Sequence, residues 1–164
     1  MPEQNPARTM HLAPELAPTP RNIASATEAY ARIAAAAWRA RSGYPGSDVL
    51  WDVECLLCGW TGQRFYSHLR RGRPAFRHGG CKPISEHADL IARYAAERLA
   101  PQCRCIIHHP TAPDAVAAVL EGLAAARAAA DPVGIMVGLA QILGDCPAAG
   151  ARAAALCELK SRTQ

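Results

Sequence analysis

Apolar positions recur at helical spacing in four places along the chain. From about Ser25 to Arg41, Tyr30, Ile33, Ala34 and Ala37 share one face, and Ser25-x-x-Glu28 reads as a capping box. Gly43 and Pro45 stop the run. A second run begins near Ser85 and continues to Ala100, with Leu90, Ile91, Tyr94 and Leu99 on the side expected to be buried. Pro101 ends it. Asp114 opens a third, with Val116, Val119, Leu120 and Leu123 in register, broken at Asp131-Pro132. Val133 to Leu143 is apolar almost all round, which predicts a buried helix, and Gly134 and Gly138 would admit a close neighbour. Asp145-Cys146-Pro147 turns the chain into a last helix over about 150–160. The stretch 1–21, with Pro2, Pro6, Pro14, Pro18 and Pro20, reads as a flexible tail. No internal repeat interrupts this order.

Between these runs the pattern changes. There is no alanine from Arg41 to Pro74, and six of the nine aromatics (Tyr44, Trp51, Trp60, Phe65, Tyr66 and Phe76) fall in 44–76. Val49-Leu50-Trp51-Asp52-Val53 predicts a strand leading into a turn at Cys55. The expected class is therefore mainly α, with a small zinc-stabilised α+β module set between an N-terminal helix and a C-terminal helical bundle. The divisions are a tail at 1–21, a helix at 22–42, the module at 43–83 and a helical region at 84–164.

The chemistry of the module lies in Cys55-Leu-Leu-Cys58-Gly59. Two thiolates two residues apart can face one ion from a tight turn, and the glycine lets the backbone curl beneath it. Zinc takes four ligands, and His68, His78 and Cys81 lie downstream. One closure is Cys55, Cys58, His78 and Cys81, built from two knuckles, the second eased by Gly79 and Gly80. In the other, His68 enters from a short helix at about 63–71, and His78 or Cys81 completes the set. Cys103, Cys105, His108 and His109 admit a second metal site or an outer ligand to the first. The simpler reading is two partly buried cysteines in a strand and two surface histidines. Cys146 and Cys157 read as small core hydrophobes. A redox role for Cys55 and Cys58 lacks a thioredoxin-like pattern, and an iron–sulfur cluster lacks a close fourth cysteine.

The segment Cys55-Leu-Leu-Cys58-Gly59 followed by His68-Leu69-Arg70-Arg71 resembles the Ros/MucR type of bacterial zinc finger, whose members bind DNA and regulate transcription. That family places its final histidine within a turn or so, where this chain has only His78, ten residues on. The segment ending Arg77-His78-Gly79-Gly80-Cys81 is similar, more broadly, to treble-clef and zinc-ribbon modules. The first resemblance covers only residues 55–71 and the second 55–81, and either implies a structural Zn2+.

The net charge is only +4, but residues 55–82 hold Arg64, Arg70, Arg71, Arg73, Arg77 and Lys82 with no acid. Bases interleaved with aromatics suit nucleic-acid phosphates and stacked bases. The expected function is accordingly a zinc-binding DNA-binding regulatory or accessory protein, with a zinc-stabilised protein-interaction adaptor as the alternative. Helices in 115–160 would form a homodimer or dock a partner protein. HExxH and the deaminase pattern are missing, and a fully ligated zinc leaves no open position for water, so no enzyme is expected. The polar N-terminus has no apolar signal region, and no run approaches the ~20 apolar residues of a membrane span. A cytoplasmic protein with no membrane partner is expected.

Overall fold

The computed structural model describes residues 11–70, 77–144 and 146–164. Among these the fold is mainly α, six helices with one small antiparallel sheet.

Helix α1 (Pro20–Ala35) begins five residues before the expected cap. The Thr19 hydroxyl accepts the Asn22 N–H at 3.2 Å, and Pro20 occupies the first turn, where its missing N–H costs nothing. Ser25 and Glu28 are thus inside the helix, and Glu28 pairs with Arg32 one turn on. The helix ends earlier than Gly43 because Ala37 takes φ 58°, which no side chain favours. The chain then enters a strand that the alanine-rich sequence concealed, β1 (Trp38–Ala40). The residues expected as tail also differ. Leu12 and Ala13 are buried, Leu12 bridges to Tyr44, and the Tyr30 hydroxyl donates to the His11 carbonyl at 2.8 Å. Residues 1–10 of the expected tail lie outside the described residues.

Strand β1 pairs antiparallel with β2 (Leu50–Cys55), and β2 with β3 (Thr61–Phe65). Trp51, Val53 and Cys55 alternate inward along β2 and are fully buried. One turn of helix, α2 (Tyr66–Leu69), follows directly from β3, so the helix expected at 63–71 is shorter and its first residues are strand.

Helix α3 (Ile84–Arg98) lacks a side-chain cap, with Ser85 inside it. Leu90, Ile91, Tyr94 and Leu99 are only half-buried, and His87 is its one fully buried residue. Helices α4 (Pro113–Ala128), α5 (Pro132–Ile142) and α6 (Ala149–Arg162) follow. Asp131 caps α5 through the Gly134 N–H. Gly138 lies against Leu123 and Gly134 against Ala126, so the two glycines bring α4 and α5 together. The outer side of α5, however, carries Val133, Met136 and Val137 at 50–69% exposure, so this helix is not buried all round.

Helix α1 joins the two halves. It packs on β1 on one side and on α6 on the other, and α6 packs on α4. Trp51 from the sheet, Tyr30 from α1, and Val116, Leu139, Ile142 and Leu156 from the later helices belong to one continuous core.

Candidate metal centre

Cys55 is the last residue of β2, and the chain turns beneath it. The Gly59 N–H donates to the Cys55 carbonyl at 2.7 Å, and the Cys55 N–H to the Trp60 carbonyl at 2.7 Å. Gly59 sits at φ 82°, the left-handed conformation that lets this turn close. Cys58 therefore lies beside Cys55. A second turn, His78-Gly79-Gly80-Cys81, has Gly80 in the same left-handed conformation, at φ 79°. It is held from α3, where His87 Nε2 lies 2.6 Å from the Lys82 carbonyl and can only donate to it.

The ligand atoms of Cys55, Cys58, His78 and Cys81 all lie within 4.8 Å of one another. A tetrahedral zinc with Zn–S near 2.3 Å sets thiolate sulfurs about 3.8 Å apart, and the Cys55 and Cys81 sulfurs are 3.8 Å apart. His78 Nδ1 lies 2.8 Å from the Gly79 carbonyl, so that nitrogen carries the proton. Nε2, 3.1 Å from the Cys58 sulfur, keeps its lone pair for an ion. Trp60 stacks on the His78 ring at 4.4 Å and 7°, and Trp38 meets both rings edge-on. Three sulfurs and one imidazole suit a borderline-soft divalent ion such as zinc, and with all four positions filled by protein the site holds structure.

His68 is exposed on α2 with its ring edge on Phe65, outside this set. Of the basic residues, Arg70 is exposed, its guanidinium 5.8 Å from the Tyr66 ring centre, and Lys82 is exposed. Arg64 is half-buried on β3, opposite Trp51. Arg71 and Arg73 lie outside the described residues. Arg77, expected to face a phosphate, is turned inward and 6% exposed. It donates to the Cys55 sulfur at 3.4 Å and to the Ala36 and Ala37 carbonyls at 2.6 and 2.9 Å, and it lies over the Trp38 ring.

The electrostatics follow from this contact. Burial pushes the Cys55 thiol up, but the Arg77 bond, the Leu57 amide and His78 outweigh it and bring the thiol down to about 7. Burial, and then the neighbouring Cys55, push Cys81 up to about 11. The pair thus loses one proton readily and resists losing the second. A divalent ion supplies the charge that removes it.

The described residues contain a second set that can hold a metal, Cys103, Cys105, His109 and Cys146. No strand forms at 103–109, and Cys146, buried as expected of a core residue, is also a member of this cluster. Cys157, also expected in the core, is exposed. The sequence signal was partial: Cys103-x-Cys105 and His109 are visible locally, whereas Cys146 arrives from the far end of α5.

No protein-family model, curated protein or solved structure matches this chain.

Proposed function

We propose that the chain is a zinc-dependent nucleic-acid-binding accessory or regulatory protein, in which the metal at Cys55, Cys58, His78 and Cys81 shapes a basic surface. The observation that carries this reading is that Arg70 and Lys82 are exposed within a segment, 55–82, whose sequence holds six bases and no acid. Three thiolates and a neutral imidazole around Zn2+ leave one negative charge, and the buried Arg77 offsets it. Arg70 and Lys82 keep their charges at the surface. Arg70 and Lys82, both exposed, bracket the segment that holds Arg71 and Arg73. Both ends of that segment are anchored, at α2 and at the second ligand turn.

The test is fluorescence anisotropy of labelled single- and double-stranded oligonucleotides across a salt series. Exchanging Arg70, Arg71 and Arg73 together for Ala should weaken binding and flatten the log–log salt slope by about 3 units if each contacts one phosphate. Binding that ignores both salt and the triple exchange would remove this reading.

One observation favours the adaptor reading. Val133, Met136 and Val137 form an exposed apolar row on α5. If a protein partner covers that row, Met136→Ser combined with Val137→Ser abolishes its capture and leaves oligonucleotide binding intact.

A further inference from the structure

The second cysteine–histidine cluster repeats the construction of the first in chemistry but not in sequence spacing. We infer that Cys103, Cys105, His109 and Cys146 form a second structural zinc site, which fastens the segment between α3 and α4 to the corner between α5 and α6. The inference is independent of any nucleic-acid role.

Four observations carry it. The ligand atoms of the four residues lie within 4.8 Å of one another, the compactness found at the first site. His109 is buried and its Nδ1 lies 2.8 Å from the Gln141 carbonyl, so Nδ1 holds the proton and Nε2 is left for the ion, as in His78. Gly144 is the only residue type that fits beside this ring: a Cβ there would overlap His109 Cε1 and Nε2. The fourth observation is Arg152. It is 1% exposed and has no carboxylate partner among the described residues. It donates to the Cys146 sulfur at 2.9 Å, to the Ile142 carbonyl at 3.0 Å and to the Gly144 carbonyl. A buried guanidinium needs a negative partner. A zinc with three thiolates supplies a single negative charge at the atom Arg152 touches. Arg77 stands in the same relation to Cys55 and to the carbonyls that follow α1.

The segment itself asks for such a fastening. Residues 99–112 form no helix or strand, and Ile106 at the tip is fully exposed. Loops of this length without their own structure are uncommon in compact folds. The tip is not held by burying its apolar residues, and the cysteines on its near side with His109 on its far side supply the attachment.

The experiment is zinc stoichiometry of the intact, zinc-replete chain by native mass spectrometry. Two ions per chain are expected. Cys105→Ser and His109→Gln should each retain one, Cys55→Ser should retain one, and Cys55→Ser combined with Cys105→Ser none. A wild-type chain holding one ion that Cys55→Ser removes, or two ions that Cys105→Ser leaves in place, would overturn the inference. A second measurement needs no variant. Cys105 and Cys157 are both exposed, so native alkylation should modify Cys157 quickly and Cys105 at least tenfold more slowly, with the protection lost on chelation. Equal rates for the two thiols in the zinc-replete chain, or a Cys103–Cys105 disulfide that accounts for the protection, would equally overturn it.

Discussion

Arg77 ties together three things that are far apart in sequence: a metal-binding sulfur, the end of α1 and the start of β1. Its charge is useful only because the thiolates are beside it. Arg77→Met removes the guanidinium from over Trp38 and leaves two carbonyls and a thiolate without their donor. By the cost of breaking a buried pair, the loss should be about 3 kcal/mol, read as a lower denaturant midpoint. His11 makes a separate prediction at this scale. Burial, and after it the neighbouring His109 and Arg152, lower it from 6.5 to about 4. Its folded form is therefore held neutral while the unfolded chain takes up a proton below pH 6.5. Stability from this residue is complete above pH 6.5 and falls away as the pH drops towards 4, by about 3 kcal/mol in all. In His11→Gln the acid limb of a stability–pH curve should be shallower by that amount. An unchanged limb would show that His11 does not set it.

Among the elements, the contact between α4 and α5 is the most demanding. A Cβ on Gly138 would stand 2.5 Å from Leu123 Cδ2 and Cγ. Gly138→Ala should cost about 1–3 kcal/mol by overpacking, outweighing the gain in helix propensity, and thermal unfolding will show which dominates. Gly134 and Gly138 were legible in the sequence as places of close approach, as were the breaks at Pro101 and Asp131-Pro132 and the strand into Cys55. The start of α1 carried its signal too, in Thr19-Pro20, but the surrounding prolines made the same residues read as a tail. The end of α1 had none, because an alanine at positive φ looks like any other alanine. Amphipathic patterning also overstated α5. An element apolar on every side is buried only if something covers every side, and nothing among the described residues covers Val133, Met136 and Val137. The local spacing of Cys55, Cys58, His78 and Cys81 placed one cluster, whereas Cys146 joins the other through the α5–α6 corner, which no spacing rule encodes.

In the whole molecule the sheet and the helices share a core through α1, so the metal module is not an independent bead on the chain. Removing zinc from the first site should loosen the helices as well as the turns. Trp60, stacked on His78, reports the site by fluorescence, and far-UV circular dichroism reports the helices. Under chelator and mild denaturant the two signals should change together, and fluorescence change with unaltered helix content would show two separately stable parts. None of the described helices is long and apolar enough to cross a membrane. The packing of α1 on α6 also orders events during synthesis. The residues of the first metal turn pair are all made by Cys81, and the hairpin between β2 and β3 needs nothing later than Phe65. Helix α1, which precedes the other described helices and the strands, must wait for residues 149–162 before its second face is covered. A chain made only as far as Cys81 therefore holds every ligand of the first site while the face of α1 that packs on α6 is still uncovered.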